Sequence, residues 1–163
     1  MEKNKLTVRK TERKDIPLIL EFIKKLAEYE KRPQDVTGTE KELEYWLFDR
    51  DIAVVLFAYC SGKVVGYSLY YPVFGSFSAA CKVHLEDLYI SEEFRGIGLG
   101  KSFLAEISKR VLEEGYSGME WSCLDWNKPS AAFYDRLGAE RETGRDYFVF
   151  DRQDLERLAS LSA

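Results

Sequence analysis

The apolar positions of this chain change their period several times, and each change marks an element. Residues 6–9 read as a short strand and 11–15 as a turn, after which Ile16, Leu20, Ile23, Leu26 and Ala27 recur at helical spacing. Asp15 stands where a helix N-cap belongs, and Pro17 suits the first turn. Residues 31–39 break the pattern, with Thr39 reading as the cap of a second helix whose apolar face carries Leu43, Trp46 and Leu47. From Ile52 the helical period is gone. Residues 53–58 form a continuous apolar run of the buried-strand kind, Ser61-Gly62-Lys63 a hairpin turn, and 64–71 the partner strand. Pro72 ends that strand or leaves it on an edge, and the small, turn-rich residues 73–81 read as a loop. A strand over 82–90 follows, then a glycine-rich loop and a helix from about residue 98 to 114, stopped by Gly115. The pattern closes with a strand over 119–124, a helix over 130–137 ended by Gly138, a last strand over 146–150 and an amphipathic tail over 151–161. Hairpins mixed with two strand–helix–strand crossovers predict an α/β arrangement around a mixed sheet.

Composition narrows this only a little. A chain of 163 residues, 45% of them hydrophobic, is expected to form one domain over 1–163 with a real core. The net charge of −4 argues against general nucleic-acid binding and favours a cationic small-molecule partner. Cys60, Cys81 and Cys123 are an odd, widely spaced set without CxxC or His/Cys ligand spacing, so neither a disulfide framework nor a metal site is expected. The opening MEKNKLTVRKTERKD is too charged for the apolar core of a signal peptide, and no apolar run approaches a membrane span. A cytoplasmic protein is expected.

The chemistry concentrates in LEDLYISEEFRGIGLGKSF, residues 85–103. A strand-like run passes through an acidic turn into Arg95-Gly96-Ile97-Gly98-Leu99-Gly100-Lys101, which opens directly onto a helix. Glycines let a ligand approach the backbone closely, and the first N–H groups of a helix lack internal partners, so the segment suits a pyrophosphate. It is neither a dinucleotide fingerprint nor a Walker loop: it lies past mid-chain, and the glycine spacing before Gly100-Lys101-Ser102 is wrong.

That loop after LEDLYI, followed some thirty residues on by WNKPSAAFYDRLGA (126–139), resembles the GCN5-related N-acetyltransferases. Together with LAEYEKRPQDV and TEKEL nearer the start, it resembles their diamine branch, the spermidine/spermine and thialysine acetyltransferases, over most of the chain. The resemblance implies the corresponding fold, a mixed, mostly antiparallel sheet flanked by helices, and acetyl-CoA as acetyl donor. It implies that the backbone of Leu88, Tyr89 and Ile90 pairs with the pantetheine arm. It further implies that Arg95, Gly96, Ile97, Gly98, Leu99, Gly100 and Lys101 hold the pyrophosphate, with Asn127 and Ser130 in a second contacting segment. Tyr134 matches the tyrosine that protonates the departing thiolate, and Glu86 the general base, with Asp87 as its alternative. Tyr29 and Glu30 match the position that engages the amine, with Glu142 a weaker match there; Arg136 is a weaker match for a phosphate contact, and a homodimer is implied.

The chemistry is self-consistent. An amine attacks a thioester only when neutral, so a carboxylate that binds the cation and accepts its proton, and a tyrosine of reference pKa about 10 that protonates the thiolate, are the groups required. Strand alternation puts Glu86 and Asp87 on opposite faces, so only one is expected to face the reaction. His84, two residues before Glu86, is expected on the same side as Glu86, and Trp121 and Trp126 in the core. Other readings kept open are acetylation of an amino acid, an aminoglycoside or a protein lysine, and an acyl-CoA sensor without turnover.

Overall fold

β-branched and aromatic residues fill the central strands because a two-sided sheet buries them on both faces. The computed structural model describes residues 5–162 and forms two compact units, one ending at Ser122 and the other beginning at Cys123. The first holds β1 (Leu6–Lys10), α1 (Ile16–Tyr29), α2 (Glu40–Glu44), β2 (Val54–Cys60), β3 (Lys63–Gly75), β4 (Ala80–Ile90), α3 (Leu99–Glu113) and β5 (Met119–Glu120). The sheet order is β1-β2-β3-β4-β5, antiparallel throughout except for the parallel β4/β5 pair. This is the expected mixed, mostly antiparallel sheet.

One face of the sheet packs on α1 through Ile19, Phe22, Val55, Phe57 and Tyr67, all buried, with Leu47 from a π-helical turn (Tyr45–Asp49) that continues α2. On α3, Leu99, Phe103, Leu104, Ile107 and Val111 are buried, the helix contacts β1 and β4, and Arg110 Nη2 donates to Val8 O at 3.2 Å. Thr39 caps α2 as expected, accepting from Glu42 N–H. Asp15 does not cap α1. Its carboxylate instead takes a bidentate pair from Arg9, at 2.7 and 2.9 Å, and the N–H of Glu12, a stronger charge-assisted set than one cap bond.

Residues 73–81 are not a loop: they form the outer end of the β3–β4 hairpin, with Val73 opposite Lys82 and Gly75 opposite Ala80. β2 pairs with β3 only as far as Tyr70, so Pro72 lies where the strand has one neighbour and a missing N–H is tolerated. Gly66 faces Ile90 across the same hairpin, where an added Cβ would come within 2.6 Å of Ile90 Cδ1 and 2.9 Å of Tyr89 O. Only glycine fits there, and it sets how closely β3 approaches the end of β4.

The second unit holds α4 (Lys128–Arg136) and α5 (Arg152–Ala159), capped by the side chains of Asn127 and Asp151. β5 stops at Glu120 rather than continuing to 124. The expected strand over 146–150 is also absent, and Tyr147, Phe148, Val149 and Phe150 are exposed. A strand persists only against a ladder partner, and among the described residues of this unit there is none. Trp126 is exposed rather than in a core.

Candidate functional site

The β4 strand carries an irregularity that no reading of one strand reveals. Leu69 of β3 faces Asp87, but the next residue, Tyr70, faces Leu85, so Glu86 is an extra residue without an opposite number. Such a bulge cancels the alternation locally. Glu86 and Asp87 therefore line the same cavity instead of facing opposite ways, which corrects the expectation from alternation. The cavity has a volume of about 320 Å³. Its apolar wall comes from Leu20, Ile23, Leu26 and Ala27 of α1, Val36 and Leu43, and its charged groups are Glu30, Glu86 and Asp87 together with the Arg32–Asp35 ion pair.

Two tyrosines of β3 hold the bulge carboxylates. Tyr67, fully buried, donates its hydroxyl to Asp87 Oδ2 at 2.7 Å, and Tyr71 donates to Glu86 Oε2 at 3.0 Å. Burial pushes the Asp87 carboxyl up to about 6; the Tyr67 hydrogen bond works against this, while the nearby charges of Glu86 and Glu30 add to it. Glu30, which directly follows α1, is also raised, first by burial, with Arg32 offsetting and Glu86 reinforcing. The Tyr67 hydroxyl is held well above its usual range by burial and by Asp87, so it remains a donor. His84 stacks on the Tyr71 ring at 5.3 Å, with Nε2 3.7 Å from Glu86 Oε2 and Nδ1 3.8 Å from Glu120, on the same side as Glu86 as expected.

Past His84 the β4/β5 ladder ends, so among the described residues the stretch with Leu88, Tyr89 and Ile90 is paired on its β3 side only. The glycine loop follows. Gly96 and Gly98 have φ of +78° and +88°, conformations an L residue rarely adopts, and no atom lies within 4 Å of where a Cβ would stand. Gly98 leads into α3, whose first turn receives no side-chain cap. The N–H groups of Leu99, Gly100 and Lys101 precede the first internal helical bond, Ser102 N–H to Gly98 O. This backbone fits a pyrophosphate by shape and by the sign of the helix dipole. Ile97 is exposed beside it.

The Arg95 side chain makes its contacts with Ile90, Tyr29 and Tyr89. The Arg95 N–H bonds Glu92 O, Nε donates to Ile90 O at 2.8 Å, and the guanidinium lies over the rings of Tyr29 and Tyr89. The remaining candidates belong to the second unit. Asn127, buried, caps α4 by accepting from Ser130 N–H at 3.3 Å, and Tyr134 lies in the last turn of α4 with its ring 5.3 Å from that of Phe133. Arg136 ends α4, and Glu142 lies exposed in a segment without regular structure. Among the described residues no cluster of three metal-ligating side chains exists, and no helix is long and apolar enough to cross a membrane.

Tyr67 and Tyr71 escaped the sequence reading, as did Arg32, Asp35 and the 36–38 segment. Their one signal was the two-residue spacing of Tyr67, Leu69 and Tyr71. It marks a common face without saying which residues of β4 that face meets.

Residues 20–139 match the model of the acetyltransferase (GNAT) family. The chain is 32% identical over 164 residues to thialysine N-epsilon-acetyltransferase of Sus scrofa, covering 93% of this chain and 96% of that protein. It is 29% identical to a human spermidine/spermine N(1)-acetyltransferase-like protein, covering 93% of this chain but 23% of the relative. Among solved structures, an aminoglycoside acetyltransferase from an uncultured soil metagenomic sample superposes with a TM-score of 0.76 at 16% identity, covering 90% of this chain and 97% of that one. An integron cassette protein from V. cholerae superposes with a TM-score of 0.75 at 21% identity, covering 98% of each chain. Bulge, glycine loop and sheet order thus stand in a known frame: the chain is an acetyltransferase of the GNAT family.

Proposed function

We propose that this acetyltransferase moves an acetyl group from acetyl-CoA to a primary amine of a small polyamine or lysine-like diamine. The observation that carries the acceptor is the convergence of Glu30, Glu86 and Asp87 on one cavity walled by aliphatic side chains. Carboxylates bind the cationic ends of such a molecule, the aliphatic wall takes its methylene chain, and a neutral or anionic ligand leaves those charges unpaired. The similarity to a thialysine acetyltransferase over nearly the full length of both proteins supports the same class.

Bound acetyl-CoA supplies an activated acetyl thioester. The N–H groups at the start of α3, with the turn at Gly96 and Gly98, would donate to the pyrophosphate, and the half-paired stretch Leu88–Ile90 would offer backbone groups to an extended arm. By the family resemblance, Asn127 and Ser130 are assigned to a second segment that contacts the cofactor. Glu86, more exposed than its neighbour, takes the proton of the amine as the new C–N bond forms. Asp87 and Glu30 hold the cationic remainder of the acceptor. Tyr134 gives its proton to the sulfur as the C–S bond breaks, so that charge and protons balance in one direct transfer. A homodimer belongs to this reading, supported by the exposed apolar run Tyr147–Phe150.

Thiol release from acetyl-CoA, measured with linear polyamines, lysine-like diamines, an aminoglycoside and a histone-tail peptide, tests the proposal. Stimulation by the first two classes is expected. Stimulation by the peptide alone, or CoA binding with no stimulated release, refutes it; the latter outcome marks a sensor.

A further inference from the structure

Arg95 opens the glycine loop, where a guanidinium would ordinarily be assigned to phosphate, yet its contacts all lead the other way. Nε donates to the Ile90 carbonyl at 2.8 Å. Cζ lies 4.5 Å from the centroid of the Tyr29 ring and 5.2 Å from that of Tyr89. Tyr29 is the last residue of α1 and immediately precedes Glu30, which lines the acidic cavity. Tyr89 lies two residues past Asp87 and on the same face of β4, and its ring also meets Phe22 of α1. One side chain therefore spans the end of α1, next to Glu30, and the end of β4, which carries Glu86 and Asp87. A planar guanidinium held by two rings and a carbonyl is fixed in place in a way that an ammonium cannot reproduce.

We propose that Arg95 is a positioning residue for the acceptor: it ties α1 to β4 and so fixes Glu30 relative to Glu86 and Asp87, and it is not a phosphate ligand. The inference rests on the reading of the cavity as the amine site. The anion cradle, made of backbone at Gly96, Gly98 and the start of α3, works without the Arg95 side chain. Loss of Arg95 therefore falls on amine recognition and leaves donor binding intact. Arginine in a phosphate contact would behave the opposite way, and lysine would largely replace it there.

The test uses the full chain and its Arg95→Lys and Arg95→Ala variants. With CoA as the probe, isothermal titration is expected to give the same affinity for all three proteins. A loss in Arg95→Ala that Arg95→Lys restores overturns the proposal. At saturating acetyl-CoA, the amine KM is expected to rise about tenfold in both variants with kcat nearly unchanged, the scale of one lost cation–π contact plus a hydrogen bond. An unchanged KM overturns the proposal. In the wild-type protein, the Arg95 Nε–H resonance, shifted upfield by the two rings, is expected to hold its position when CoA is added, and a large displacement overturns the clamp without any variant. Should the wild type acetylate no amine, the cavity's assignment falls on its own, while the CoA titration and the resonance still decide what Arg95 binds.

Discussion

At the glycine loop, the groups offered to a ligand are backbone N–H groups; at the cavity beside α1, they are side chains. The loop depends on two positive φ values and the start of a long helix, so its function is written in residue types at fixed spacing. The cavity depends on Glu30, Glu86 and Asp87 arriving from two elements, on a bulge that turns two of them the same way, and on tyrosines of a third element that hold them. A backbone site tolerates side-chain change and keeps one ligand chemistry. A site of clustered, partly buried carboxylates is expensive to assemble, yet each side chain adjusts its charge or its reach. The difference matches a family frame with a common donor and varied acceptors, and it predicts that the two halves fail separately.

The largest separation is expected from Tyr134→Phe. It removes the proposed proton donor but neither binding half, so kcat should fall about 100-fold with the KM for both substrates nearly unchanged, as steady-state kinetics would read. A rise in amine KM without loss of kcat would move Tyr134 from chemistry to binding. Next in size is Gly98→Val, which forces a β-branched residue to a φ of +88°. CoA affinity should weaken about 10- to 30-fold by calorimetry, in line with a strain of roughly 2 kcal/mol, while amine KM at saturating donor stays put.

The acid side of the pH profile separates the halves again. Asp87 is ionised above about 6 and neutral below, so kcat/KM for the amine should fall as the pH drops through that value. Asparagine at position 87 removes the limb, and CoA affinity shows no matching change. Unfolding through this group does not mimic the effect: its folded pKa lies above the unfolded value, so its contribution to stability is fully present below about 4 and is lost only as pH rises through about 6. The smallest effect is expected from Tyr67→Phe. Loss of the hydroxyl that Asp87 accepts from moves the acid limb to higher pH and lowers stability by about 1 kcal/mol, measurable as a kinetic pKa and a denaturation midpoint. A limb that moves to lower pH would mean that Tyr67 does not stabilise the ionised form.

This contrast also explains what the sequence disclosed. The strands read over 53–58 and 64–71, helices α1 and α3 and the glycine loop were legible because each is a local pattern of period or of glycine. Thr39 was legible as a cap for the same reason. Asp15 was not, because Arg9, six residues away, competes for its carboxylate and wins. The shared face of Glu86 and Asp87 was hidden because a bulge belongs to a pair of strands, and only the register of β3 against β4 creates it. Residues 73–81 looked like a loop since their composition is turn-like, but a long hairpin supplied the ladder. Residues 146–150 had strand-forming side chains and no ladder beside them.

The central claim is that donor and acceptor are held by separable machinery, backbone for one and carboxylates for the other. The double variant Glu86→Gln/Asp87→Asn tests it most directly, with CoA affinity by calorimetry and amine-stimulated thiol release measured on the same preparation. The account predicts wild-type affinity for CoA with turnover reduced by about 100-fold or more. Turnover near the wild-type rate would contradict it, because no carboxylate of the bulge would then be needed to bind or deprotonate the amine.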